Sequence, residues 1–215
     1  MNWFTAPVLT GSRVTLRPLA LSDASELFAA VDRPDAYGWT TVPSDTDGAT
    51  RYIQTALDTP DRVAFAVVDN DSGHIVGSTS FYDITPANWT LAIGHTWYST
   101  AVQGTTVNPE AKLLLLQRAF EQLGTVRVVW HTDERNAQSR AGIAKLGATF
   151  EGLLRKHRPL PGPPEQTPHN GPRPSLWRTT AQYAMTDVDW PGAKAVLEQR
   201  TLGEPPLKAR QTLTT

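Results

Sequence analysis

Between Thr90 and Leu146 the spacing of apolar residues changes from strand to helix, back to strand and again to helix. That order constrains the fold more than any other feature of the chain. Residues 90–98 (TLAIGHTWY) read as a strand, and Leu113, Leu116, Phe120 and Leu123 then recur at helical spacing up to Gly124, a natural stop. Val126, Val128 and Trp130 alternate as a further strand, and residues 136–146 (NAQSRAGIAKL) form a second helix closed by Gly147. Such a run predicts two adjacent parallel strands joined by a crossover helix, with both strand ends on one side.

The flanking segments add strands and helices in a different order. Residues 13–20 (RVTLRPLA) alternate as a half-buried strand, and helices are predicted after Ser22-Asp23 and after Ser44. Residues 63–69 and 74–82 flank Asn70-Asp71-Ser72-Gly73, a hairpin signal. Ala148 to Leu154 and Leu176 to Met185 read as two closing strands, and Trp190-Pro191 opens a last helix to about Arg200. The fold class is therefore α+β, with one domain over residues 1–202 and a C-terminal tail over 203–215. Residues 159–174 hold seven of the 17 prolines and read as an exposed, partly stiff loop inserted between the closing strands.

Composition removes several function classes. The 20 basic and 21 acidic side chains leave a net charge of -1, whereas a phosphate backbone or an anionic membrane as main partner demands a basic excess. No nucleic-acid or membrane partner is expected. The absence of cysteine rules out a thiolate metal site and a cysteine nucleophile. No apolar run approaches the roughly 20 residues that span a bilayer, so a cytoplasmic location is expected. His74, His157 and His169 have no metal-ligand spacing, and no metal is assigned.

The stretch 97–116 (WYSTAVQGTTVNPEAKLLLL) carries the strongest chemical signal. A strand end, a polar loop and Asn108-Pro109-Glu110 as a helix start, with Asn108 as N-cap, would gather free N–H groups and a helix dipole at one point suited to a pyrophosphate. Asp133 to Ser139 forms a second strand-to-helix junction beside it. Together with RVTLRPL, IGHTWYS and KLGATFEG, these segments resemble the GNAT superfamily of acetyl-CoA-dependent N-acetyltransferases, in its RimJ/RimL-like class, over roughly residues 10–187.

The resemblance implies a mixed central sheet of about six to seven strands with helices on both faces, splayed at the fourth and fifth strands. It also implies acetyl-CoA as cosubstrate, held by Trp97, Tyr98, Gln103, Gly104, Thr105, Thr106, Val107 and Asn108, with Asn136 on the pantetheine arm. Many relatives carry a tyrosine on the following helix that protonates the departing thiolate; Ile143 stands there, and Ser139 is the substitute. Ala92 replaces a common glutamate in the fourth strand. The candidate bases are therefore His131, His95 and, through water, Asp83, while a backbone N–H near His95 to Trp97 is the implied oxyanion donor. His95 also alternates with Leu91, Ile93 and Trp97, which predicts a buried ring. Tyr37 and Trp39, with Thr40 beside them, and Asp83 would contact the acceptor, a small-molecule or peptide amine, and a homodimer is possible. Because Thr106, Ala92 and Ile143 depart from the commoner pattern, the competing expectation is a catalytically silent acyl-CoA sensor.

Overall fold

The computed structural model describes residues 2–168 and 171–202, so the expected tail and His169 lie outside the described residues. Two short strands, β1 (Leu9–Thr10) and β2 (Val14–Pro18), are followed by helices α1 (Ala24–Ala29) and α2 (Thr46–Asp58). Next come β3 (Val63–Asp69), β4 (Ile75–Thr85), β5 (Thr90–Tyr98), α3 (Val107–Gln117), β6 (Arg127–Asp133) and α4 (Ala137–Ala144). The chain closes with β7 (Thr149–Pro159), β8 (Pro164–Thr167), β9 (Gly171–Pro174), β10 (Trp177–Thr186) and α5 (Trp190–Thr201).

The main sheet has eight strands in the order β1-β2-β3-β4-β5-β6-β10-β7. This exceeds the predicted six to seven by β1, whose two residues pair with Leu16 and Thr15 and are too short for a periodicity signal. All neighbours are antiparallel except β5 and β6, the pair joined through α3. Alternation sorts the side chains. Leu16, Phe65, Phe81, Leu91 and Val128 join the core that includes Leu115 and Leu116 of α3 and Leu197 of α5. Ala64, Ala66 and Trp97 pack with Leu27 of α1 and Ile53 of α2 on the other face.

Two local expectations need correction. Residues 159–174 are not a plain loop: β7 continues to Pro159, and β8 and β9 pair antiparallel as a separate small sheet in which Arg173 is 2.6 Å from Glu165. Proline is tolerated there because a two-stranded ribbon has free edges that need no N–H donor. Asn108 is not the N-cap of α3 either. The helix starts at Val107 after Thr106, with the Thr105 hydroxyl accepting from the Val107 N–H at 3.3 Å, which leaves Asn108 inside the first turn.

One carboxylate fixes α3 against the sheet. Glu110 is buried, and its two oxygens accept from Ser12 N (2.9 Å), Ser12 Oγ (2.7 Å), Arg13 N (2.7 Å) and Val14 N (2.7 Å). Gly11 makes room for it, since a Cβ there would lie 2.6 Å from the Glu110 carboxyl carbon. Glu110→Ala strands three backbone N–H groups and should cost about 3 kcal/mol, or about 6–12 °C in Tm for a chain of this size. Differential scanning calorimetry checks this, and Gly11→Val should destabilise in the same direction by displacing the same carboxylate.

Candidate active site

The parallel pairing of β5 with β6 covers only Thr90 to Ala92 against Arg127 to Val129, after which the strands separate. At the same level the β4–β5 ladder breaks: Ser80 faces Gly94 and Ser78 faces Trp97, so His95 and Thr96 stand opposite Thr79 alone. This is a β-bulge, with His95 in the left-handed region at φ 47°. It also breaks the alternation that predicted a buried His95. The ring is exposed at the cleft and meets the Tyr82 ring edge-on at 5.1 Å. Crowding by neighbouring groups, then the charges of Arg62 and Arg158, pull its pKa below the ordinary histidine value.

At one end of the separation lies the loop from Ser99 to Thr106. The Gln103 side chain donates to Tyr98 O at 3.0 Å, Thr105 Oγ1 donates to Val102 O at 2.6 Å, and Gly104 adopts φ 79°. The backbone N–H groups of Gly104, Thr106 and Asn108 have no hydrogen-bond partner among the described residues. They sit at the N-terminus of α3, an arrangement that suits an anion. Tyr98 and Val107 are buried in the core, and Trp97 is buried on the other face, so these three support the site from behind.

The start of this loop is held from a distance. Asp32 accepts from Ser99 Oγ (2.6 Å), Thr100 Oγ1 (2.8 Å), Thr100 N (3.0 Å), Ala101 N (3.1 Å) and the Tyr37 hydroxyl (3.0 Å). Partial desolvation raises its pKa, but the bonds from Ser99, Thr100 and Tyr37 outweigh that and hold the carboxyl well below the carboxylate range. Nothing in the sequence near Asp32 announces this role, because its partners in the loop lie 67 to 69 residues away. Tyr37 is buried, edge-on to Trp97 at 5.8 Å, while Trp39 is 53% exposed with the Arg135 guanidinium 5.3 Å from its ring.

Across the separation, Asn136 caps α4 by accepting from Ser139 N at 2.9 Å. The Ser139 hydroxyl is half-buried and makes no hydrogen bond among the described residues, so it is not occupied by its own helix. Ile143, one turn on, is packed in the core.

His131 belongs to a relay that the sequence does not reveal. Gln182 Nε2 donates to Glu151 Oε2 at 3.0 Å, which turns Gln182 Oε1 toward His131 Nε2 at 3.1 Å. His131 thus carries its proton on Nε2 in this network, and Nδ1 accepts from the Tyr82 hydroxyl at 3.1 Å. Asp83 Oδ2 lies 3.9 Å from the same Nδ1. Burial, partly offset by Gln182, lowers the His131 pKa, and burial pushes Tyr82 up to about 12. Asp83, His131, Ala92 and Val129 line a concavity of about 270 Å³ at the closed end of the cleft.

Beneath the bulge lies a buried amine without a counter-charge. Lys112 of α3 donates to Thr96 Oγ1 at 2.8 Å and Thr79 Oγ1 at 3.3 Å, and no carboxylate pairs with it among the described residues. Its signal was present in the sequence as a lysine four residues before buried Leu116 on a core-facing stripe.

The site is thus a mixed sheet opened between two parallel strands, with free donor groups at a helix start and a bulge at the opening. Residues 13–149 match the family of the acetyltransferase (GNAT) domain, and the chain belongs to that family. It is 26% identical over 169 residues to the "Probable N-acetyltransferase YjcK" of Bacillus subtilis (strain 168), covering 72% of this chain and 91% of that protein. Among solved structures it is similar to a GCN5-related N-acetyltransferase from Brucella melitensis, 28% identical with TM-score 0.79 over 93% of this chain and 90% of the other. Mycobacterium smegmatis RimJ in complex with CoA-disulfide shares the fold at 19% identity and TM-score 0.67, over 90% of this chain and 92% of that one.

The Lys112 environment has a pH signature. Burial lowers its pKa to about 7, while the unfolded chain keeps that proton to about pH 10.4. Between these values the unfolded state binds more protons, so this residue makes stability rise with pH from about 7 upward, and its full penalty is present below that. Chemical denaturation at pH 6 to 9 should therefore show a steeper rise for the wild type than for Lys112→Met.

Proposed function

We propose that this acetyltransferase moves an acetyl group from acetyl-CoA to a primary amine by direct attack, in the manner of the RimJ/RimL-like class, as a single cytoplasmic domain able to act as a homodimer. The acceptor is a peptide N-terminus or a small amine. The observation that carries this reading is the opening between β5 and β6, with the free N–H groups of Gly104, Thr106 and Asn108 after one strand and the unengaged Ser139 hydroxyl after the other. These groups fit the cosubstrate: an unpaired donor set suits a pyrophosphate, and a hydroxyl with no internal acceptor suits a thiolate. When bound, acetyl-CoA supplies the activated acetyl group as a thioester.

The chain's own residues then have distinct tasks. Gln103, Gly104, Thr105, Thr106 and Asn108 hold the anionic end, with Trp97, Tyr98 and Val107 fixing their backbone, and Asn136 sets the first turn of α4 so that Ser139 faces the gap. Ser139 gives a proton to the departing sulfur. The attacking amine loses its proton to the Tyr82 hydroxyl, which passes its own to His131 Nδ1, where Gln182 and Asp83 stabilise the resulting cation. His95, on the bulge, flanks Tyr82 and serves as the alternative base. Trp39, with Tyr37 behind it, and Asp83 face the acceptor, and the β8–β9 ribbon narrows the mouth on the opposite side. An α-amine, about a tenth neutral near pH 7, needs less help from this relay than a lysine.

The test is thiol release from acetyl-CoA over an amine panel with intact-mass detection. Ser139→Ala should lower kcat by roughly 10- to 100-fold with acetyl-CoA affinity nearly unchanged, and His131→Gln should lower kcat most at neutral pH, where the wild-type imidazole is unprotonated and able to take the proton, with the two enzymes converging as the pH falls. Acetyl-CoA binding without thiol release on any amine would sink the transfer reading.

A further inference from the structure

Three arginines approach the acceptor side of the cleft with one carboxylate among them. Arg158 on β7 and Arg178 on β10 are directly opposed cross-strand partners. Arg158 reaches Asp83 at 3.1 Å and lies 5.9 Å from the Tyr82 ring centroid. Arg178 is half-buried, donates to Thr180 Oγ1 at 2.8 Å, and forms no ion pair among the described residues. Arg62 donates through Nε to Ser80 Oγ at 3.0 Å, two residues along β4 from Tyr82, and its Nη2 is buried with no hydrogen-bond partner. The nearby Asp133 is already engaged in two bonds of 2.9 Å with Arg135.

This arrangement carries two uncompensated costs. Like charges directly opposed across an antiparallel pair destabilise it, and a buried guanidinium N–H without an acceptor forfeits a charge-assisted hydrogen bond. Their electrostatic reach is visible on the central groups: Arg62 and Arg158 both act against protonation of His95, and Arg158 and Arg178 both favour the ionised form of Tyr82. Arg62 packs over the Tyr52 ring at 5.8 Å, out of solvent, whereas a single anion on the acceptor beside Arg178 would relieve the opposed pair.

We infer that the acceptor amine carries an anionic group, a carboxylate or phosphate, a few bonds from its nitrogen, bound by Arg178 while the amine lies at Tyr82 and Asp83. Arg158, shared with Asp83, separates the two ends. The inference rests on the acetyl-transfer reading and narrows its substrate class to acidic amines. The chemistry is common to two sources, a small phosphorylated amine and a peptide with an acidic second residue.

The experiment uses matched pairs differing only in the charge near the amine. One arm compares phosphoethanolamine with 2-methoxyethylamine; the other compares the peptide amides Ser-Asp-Gly and Ser-Asn-Gly. Thiol release gives kcat/KM per neutral amine, and thermal shift of the CoA-saturated protein gives binding without turnover. The anionic member should be favoured by about tenfold or more in one arm, which identifies the source, and should raise Tm more than its partner. R178Q should bring that ratio and that Tm difference toward unity, whereas R51Q, on the exposed side of α2, should keep both. Equal treatment of both members in both arms overturns the inference, as does a preference that survives R178Q. If no amine releases thiol, the transfer reading fails by itself, and the Tm difference between paired ligands still decides the anion site.

Discussion

The Glu110 carboxylate, closed in by the amides of Ser12, Arg13 and Val14, is the contact on which the placement of the site depends. A crossover helix is connected to the sheet covalently only at its two ends, and its axial position must be set by something else. Apolar packing of Leu115 and Leu116 is non-directional and would tolerate small shifts along the axis. Four short hydrogen bonds to one carboxylate do not. They fix the first turn of α3 against the β1–β2 corner, so the helix start and the loop before it occupy a defined place beside the opened strands. Lys112, two residues on, uses the same fixed helix to reach Thr96 within the bulge.

How much of this was legible in the sequence follows from the range of the interactions involved. Asn136 as a cap could be read directly because its partner, Ser139, is three residues away. The crossover unit was legible for the same reason, since periodicity is a local property. The bulge at His95 was not, because it depends on how many residues of β4 face those of β5, a count that belongs to the pair and not to either strand. Asp32, the Gln182 relay and the Arg158–Arg178 pair were hidden for the same reason. The start of α3 shows a subtler failure: despite a strong local signal, Asn108-Pro109-Glu110, the helix begins earlier, at Val107 after Thr106, where the Thr105 hydroxyl accepts from the Val107 N–H.

Overall charge was silent about the site. A net charge of -1 describes a chain whose acidic and basic groups balance, yet the structure segregates them by use. Asp32 and Glu110 are consumed by backbone amides and neighbouring hydroxyls, Asp133 by a residue two positions away, and Glu151 by Arg127 and Gln182. What remains at the cleft is mostly positive. The local field is therefore set by which carboxylates are occupied elsewhere, a quantity no residue count contains.

Asp32 joins two segments that, in the proposed reading, meet different molecules. Its segment leads within eight residues to Tyr37, Trp39 and Thr40, while its carboxylate holds Ser99, Thr100 and Ala101 at the root of the loop that ends at α3. Tyr37 closes the circuit by donating to the same carboxylate. Displacing either segment strains the same five hydrogen bonds. Two ligands that each settle one side of such a shared anchor become thermodynamically coupled, and reciprocity requires that the first to bind changes the affinity of the second by the factor the second would impose on the first. Order of addition is then a property written into one aspartate.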